Sequence, residues 1–264
     1  MDKTFYMESN KSKFKEGIMP KMWEILANVE EKTGFDYHRI LYLGLYGSQN
    51  YNMDSPDSDI DCECFIFPSH DDIVFARPLY SKLLQTPYGT CHVKDVRAIF
   101  NELRKSSPNI LEILYTPYAI INKEYEFYIR QITGTFFNYI ASLNKFKLLK
   151  GLEGLLNRYY DDLEDPKYLA NSMRIYDMIC GVLHDDPYDT LITPDDYVEL
   201  TALKYCENPP ANIVFDMQNS IHWMKEDLQT LFYDTHESEM DEGVLGTINS
   251  YQDAIMSKYI KLEF

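Results

Sequence analysis

YGSQNYNMDSPDSDIDCECF, residues 46–65, is the stretch on which the reading of this chain turns. The apolar, aromatic-rich run RILYLGLY (39–46) leads into it and reads as a buried strand. Gly47-Ser48 follows, then a polar loop with Pro56 and several Asn, Asp and Ser residues. DIDCECFIF (59–67) alternates at first and then turns wholly apolar, as a strand running into a core does. Asp59 and Asp61 are two apart, so on a strand both carboxylates leave the same face, with Glu63 one step further along. Side-by-side carboxylates repel unless a cation sits between them, and a divalent metal is the natural partner.

A bare DxD is also what a solvated acidic strand face looks like. The spacing Asp57-x-Asp59-x-Asp61 mimics the start of an EF-hand, but Cys62 occupies the place that needs Gly and Pro68 the place that needs the bidentate Glu. Context lifts the motif above these readings. Glycine lets backbone approach a ligand closely, and a serine hydroxyl with neighbouring N–H groups can hold a phosphate. A phosphate cradle beside a carboxylate pair suits a metal–nucleotide complex.

Outward from this core, MPKMWEILANVEEK (19–32) reads as a helix, with Pro20 near its start and Gly34 past its end. Thr90–Asp95 is a third strand candidate and Val96–Lys105 a helix. From about Glu124 the pattern is helical, in EFYIRQITGTFFNYIASLNKFKLLKGLEGLL and PKYLANSMRIYDMICGVL, with breaks at 161–166 and at Asn208-Pro209-Pro210. The expected fold class is α+β: a small mixed-sheet α/β module over 1–122, then an all-helical module over 123–264 that closes a cleft.

Tyr46-Gly47-Ser48, a ten-residue spacer and Asp59-Ile60-Asp61-Cys62 together resemble the signature of the DNA-polymerase-β-like nucleotidyltransferase superfamily. VKDVRAIFNELRKSSPNILEILYTP (93–117) is similar to a bacterial and phage branch of it, as is a helix carrying Lys167 and Arg174 seven residues apart. The resemblance implies a metal-dependent transfer of an NMP from an NTP to an acceptor hydroxyl, with pyrophosphate released. It implies Mg²⁺ or Mn²⁺ held by Asp59, Asp61 and a third carboxylate on a neighbouring strand. Asp95 fits that place, Glu63 is its rival, and Asp95 could instead simply cap the helix that follows. Lys94 and Arg97 flank Asp95; Lys94 is expected to point away from the metal face. Gly47, Ser48 and Gln49 would grip the phosphates, assisted by Lys167 and Arg174, which could alternatively be structural ion-pair partners. ATP is the expected nucleotide. The acceptor stays open among a small molecule, a protein hydroxyl and an RNA 3′ end. A catalytically inactive nucleotide-binding or interaction protein of the same fold is the alternative.

Composition bounds these readings. Of 264 residues 45% are hydrophobic and 25% charged, an ordinary globular balance. Residues 1–150 carry 18 Lys+Arg against 19 Asp+Glu, whereas residues 151–264 carry 7 against 23, within a net charge of −17. The acidic C-terminal part disfavours a long nucleic acid as partner. Nothing approaches the roughly 18 apolar residues of a membrane span, and the N-terminus MDKTFYMESNKSKFKEG has no apolar h-region. Five cysteines without a CxxC pair point to reduced thiols and a cytoplasmic location. Six histidines (His38, His70, His92, His184, His222, His236) show no zinc spacing, and most of the 22 tyrosines are expected in core and groove linings.

Overall fold

Apolar runs too short to be helices pair into the sheet at the front of the chain, and amphipathic runs cover both of its faces. The computed structural model describes residues 4–6, 15, 17–234 and 241–263; most of the N-terminal stretch quoted above, and His236, lie outside them. Strand β1 (Thr4–Tyr6) precedes helix α1 (Ile18–Thr33), which ends at Gly34 with φ 70°, the left-handed conformation a helix C-terminus takes at glycine. Strands β2 (Ile40–Tyr46) and β3 (Asp61–Ile66) follow, then a short helix α2 (His70–Val74) opened by a Ser69–Asp72 capping box. Next come β4 (Ser81–Thr86), β5 (Gly89–Asp95), α3 (Val96–Leu103), α4 (Pro108–Tyr115) and β6 (Ala119–Asn122).

Beyond Asn122 every element is helical. They are α5 (Glu126–Arg130), a π-helical turn (Gln131–Thr135), α6 (Phe137–Ser142), α7 (Lys145–Tyr160), α8 (Pro166–Leu183), α9 (Tyr188–Leu191), α10 (Tyr197–Lys204), α11 (Ala211–Asp234) and α12 (Glu242–Glu263). The helical pattern over 126–156 is thus divided among several helices: Thr133-Gly134-Thr135 lies in the π turn, where residues of low helix propensity favour a break. None of the helices is long and apolar enough to cross a membrane, among the described residues.

The six strands form one mixed sheet in the order β1-β6-β2-β3-β5-β4. β3 and β5 run parallel; the other neighbours are antiparallel. Leu43, Leu45, Cys62, Cys64, Cys91 and Val93 pack with α1 residues Met22, Ile25 and Val29. On the other side Tyr42, Phe65, Ala119 and Ile121 join a core that continues through α3 and α4 into α7, α8, α11 and α12. The secondary structure changes character at residue 122, yet this second core runs without interruption from the sheet into the helices. Gly44 makes the close approach of α4 possible, because a Cβ there would lie 2.9 Å from the Ile113 carbonyl and 2.5 Å from the Tyr42 ring. Tyr42 donates its hydroxyl to that same carbonyl at 2.8 Å. This packing brings the C-terminal end of β2, and the loop behind it, against the helices.

Candidate active site

At the end of β2 the chain turns at Gly47, whose φ of 94° favours glycine over any side chain. A Cβ at Gly47 would meet nothing within 4 Å, so the backbone here borders open space. Residues 48–60 form a well-braced loop. Asn50 donates its side-chain amide to Leu45 O at 2.9 Å and accepts the Thr116 hydroxyl at 2.6 Å, and Met53 N donates to Ser48 O at 2.9 Å. Tyr51 and Met53 are buried against Ala170 of α8 and Leu200 of α10. Lys204 Nζ donates to Met53 O at 2.8 Å. The segment looks solvated in the sequence, but two of its side chains anchor the helices.

The strand expected from Asp59 begins at Asp61; Asp59 stands exposed on the coil just before it. Asp61 Oδ1 accepts the Thr90 amide at 2.9 Å and the Thr90 hydroxyl at 2.6 Å, which orients its carboxylate at the mouth of the β3–β5 pair. Both aspartates, together with Gly47 and Ser48, line a cleft of about 480 Å³ whose far wall carries Lys167 and Arg174. Six of the residues expected in the site are thus brought together. Gln49 is not: it is buried and donates its side-chain amide to Ser58 O at 3.4 Å, bracing the loop.

Asp95 is not brought to the pair either. In the parallel β3–β5 register Cys62 stands beside Cys91 and Ile66 beside Asp95. Asp95 therefore sits five residues further along than Thr90, the residue that touches Asp61, roughly 16 Å along the strand. It also has the opposite pleat parity. Its carboxylate, 2% exposed, caps α3 by accepting Arg97 N at 2.8 Å and pairs with the Arg97 guanidinium at 2.9 and 2.6 Å. Glu63 does share the Asp61 face, but it is ion-paired to Lys94, and burial raises its carboxyl above the ordinary range despite that partner. Lys94 thus points to the acidic face, contrary to the expectation from sequence, because the face is set by Asp61 and Glu63 and not by Asp95. Among the described residues no group of three or more His, Cys, Asp and Glu side chains is placed to hold a metal.

The charges in the cleft are divided by origin. Asp57, Asp59, Asp61 and Glu112 come from the front of the chain, and Arg158, Lys167, Arg174 and Lys204 from α7, α8 and α10. Four of the seven Lys and Arg residues in 151–264 therefore face one cleft. Arg174 is 4% exposed. Its guanidinium lies 3.9 Å from the Tyr51 ring centroid and Nη1 reaches Met178 Sδ at 3.5 Å, but Nε has no hydrogen-bond partner. Among the described residues no carboxylate comes within 4 Å of it. Glu112 acts on it electrostatically without reaching it as an ion pair, so the buried guanidinium is only partly compensated, and an anionic ligand would complete it.

Glu112 is a site residue the motif does not announce. It lies on α4 and accepts Gly47 N at 2.7 Å, so that amide is already engaged, as is Asn50 N, which donates to Gly47 O at 2.9 Å. Burial raises the Glu112 carboxyl; Arg174, Gly47 N and Asn50 pull it back only in part. A sequence signal exists, since Glu112 is the lone charged residue in the otherwise apolar helix PNILEILY. Arg158 and Lys204 had a weaker one, the scarcity of cations beyond residue 150. The donor set suits Mg²⁺ of the kind held by one or two carboxylates plus substrate phosphates, not a closed protein cage. No family model matches the chain, and no curated protein matches it in sequence.

Proposed function

We propose that this protein is a metal-dependent nucleotidyltransferase that moves an NMP from an NTP to an acceptor hydroxyl. The observation that carries the reading is the cleft itself: a Gly47-Ser48 turn and the Asp59/Asp61 pair faced by four cations, one of them buried and short of a partner. Asp59 and Asp61 would hold a Mg²⁺ or Mn²⁺ ion, which when bound neutralises phosphate charge and polarises the reacting phosphoryl group. Ser48 Oγ and the Ser48 and Gln49 amides would bind terminal phosphates, with Lys167 and Arg174 on the opposite side. Arg158 and Lys204 add to the positive wall.

In the reaction the acceptor oxygen bonds to the α-phosphorus as the bond to the β-phosphate oxygen breaks. Pyrophosphate leaves with the electron pair, and the acceptor proton goes to solvent. Rate enhancement would come from alignment of the acceptor and from charges fixed in advance around the phosphates. ATP is the first nucleotide to test. The five thiols are unbridged, which supports a reducing compartment such as the cytoplasm.

One observation favours a second reading, a nucleotide-binding protein without turnover. The β5 residues on the Asp61 face are Thr90, His92 and Lys94, none of them a carboxylate. Label transfer separates the two: α-³²P-labelled ATP, GTP, CTP and UTP are incubated with Mg²⁺ or Mn²⁺ and cell lysate as acceptor, with Asp61→Asn as control. Label in a lysate fraction, absent with the variant, supports transfer; metal-dependent binding without transfer supports the second reading. Neither binding nor transfer refutes both.

A further inference from the structure

We propose that Tyr205 is the acceptor hydroxyl of a self-modification, in which the chain transfers a nucleotidyl group onto its own cleft. The inference rests on the nucleotidyltransferase reading and specifies the acceptor class. An acceptor must stand beside the metal-side carboxylates and be open to the incoming nucleotide. Four tyrosines line the cleft: Tyr46, Tyr51, Tyr159 and Tyr205. Tyr51 is buried beneath Arg174, and Tyr46 and Tyr159 are half-buried. Tyr205 is 49% exposed.

Its position follows from the fold. Tyr205 caps the end of α10, and α10 is fastened to the loop by Lys204 Nζ on Met53 O at 2.8 Å. The Tyr205 Oη therefore comes to 3.3 Å from Ser58 Oγ, one residue before Asp59. Burial of the ring pushes the phenol up, but hydrogen bonds from Ser55, Ser58 and Lys204 outweigh it and leave the phenol below its ordinary value. A phenol eased toward phenolate is a better nucleophile than an ordinary tyrosine. Burial pushes the Tyr46 and Tyr51 phenols up instead.

The step balances. Tyr205 Oη forms a bond to the α-phosphorus, the bond from that phosphorus to the β-phosphate oxygen breaks, and pyrophosphate departs with the electron pair. The phenolic proton goes to solvent, and the product is a tyrosyl phosphodiester, one per chain.

The test uses the full chain with Mg²⁺ and each α-³²P-labelled NTP, without lysate, followed by a denaturing gel and tandem mass spectrometry. The expected result is covalent label approaching one nucleotidyl group per chain, located on Tyr205, with label lost in Tyr205→Phe and in Asp61→Asn. Label on any other residue, or label that survives in Tyr205→Phe, overturns the proposal. A chain that transfers label to a lysate acceptor but never to itself also overturns it and leaves the transferase reading standing. Absence of both transfer and nucleotide binding brings down the two together.

Discussion

Glu112 accepts the backbone N–H of Gly47 at 2.7 Å, tying the turn at the end of β2 to the helix packed across it. The contact links the two halves of the cleft, because Glu112 also interacts electrostatically with Arg174 on α8. It explains why a carboxylate sits within an otherwise apolar helix, and it makes the position sensitive to pH.

Burial raises the Glu112 carboxyl, so the folded protein holds that proton more tightly than the unfolded chain does. The contribution is fully present below the ordinary carboxylate value and is lost as pH rises through the elevated folded value. Glu112→Gln keeps an acceptor for Gly47 N and does not ionise. Its melting temperature relative to wild type should therefore be higher at pH 8 than at pH 5, read by thermal denaturation at both. A gap that does not change with pH contradicts the assignment.

Arg174→Met replaces a buried cation that makes no direct carboxylate contact by an apolar chain of similar length. The exchange removes a buried charge but also the cation that lowers the Glu112 carboxyl, so the melting temperature relative to wild type should be lower at pH 8 than at pH 5. Binding of Mg·ATP, measured calorimetrically, should weaken roughly 10- to 100-fold, the loss expected for a charge-assisted hydrogen bond of about 1.5–3 kcal/mol. Unchanged affinity would remove Arg174 from the phosphate site.

Asp95 and Asp61 should separate stability from activity. Asp95→Ala removes a helix cap and the partner of Arg97, and should cost about 2–4 kcal/mol in urea denaturation while leaving nucleotide turnover per folded molecule intact. Asp61→Asn keeps an oxygen for the Thr90 contacts and should unfold close to wild type, with turnover reduced by about two orders of magnitude or more. If Asp95→Ala instead abolishes turnover in a stable protein, the register argument fails.

Gly89 has a φ of 154°, and a Cβ there would lie 2.7 Å from Ile60 O and 3.1 Å from Asp61 Oδ1. Gly89→Ala should push the start of β3 outward. A stability loss of about 1–3 kcal/mol is expected, together with weaker Mg²⁺-dependent nucleotide binding. Denaturation and calorimetry on the same preparation report the two effects; full binding in a destabilised protein would show that Asp61 does not depend on this contact.

Elements with a strong local period were legible. α1 and α3 show apolar residues at helical spacing, α8 matches the run PKYLANSMRIYDMICGVL end to end, and β2, β3 and β5 are apolar or alternating runs bounded by turn residues. β4 and β6 were not. β4 is an edge strand with one buried residue in six, so it has no alternation to find, and the four residues of β6 are all buried and too few to show a period. The 49–58 loop reads as solvent-exposed because its residue types are polar, while Tyr51 and Met53 spend their burial on helices more than a hundred residues away.

Residue types and local spacing were enough to establish the α+β class, the turn at Gly47-Ser48 and the Asp59/Asp61 pair, because each depends on neighbours within about twenty residues. Which carboxylates and cations share a cleft was decided by tertiary structure. Strand register moved Asp95 to the far end of β5 and gave it to Arg97; helix packing carried Arg158, Lys167, Arg174 and Lys204 to the acidic pair and set Glu112 under Gly47. A register is settled by the whole sheet and its covering helices, where a shift of one residue exchanges the two faces, so no short stretch of sequence can specify it alone.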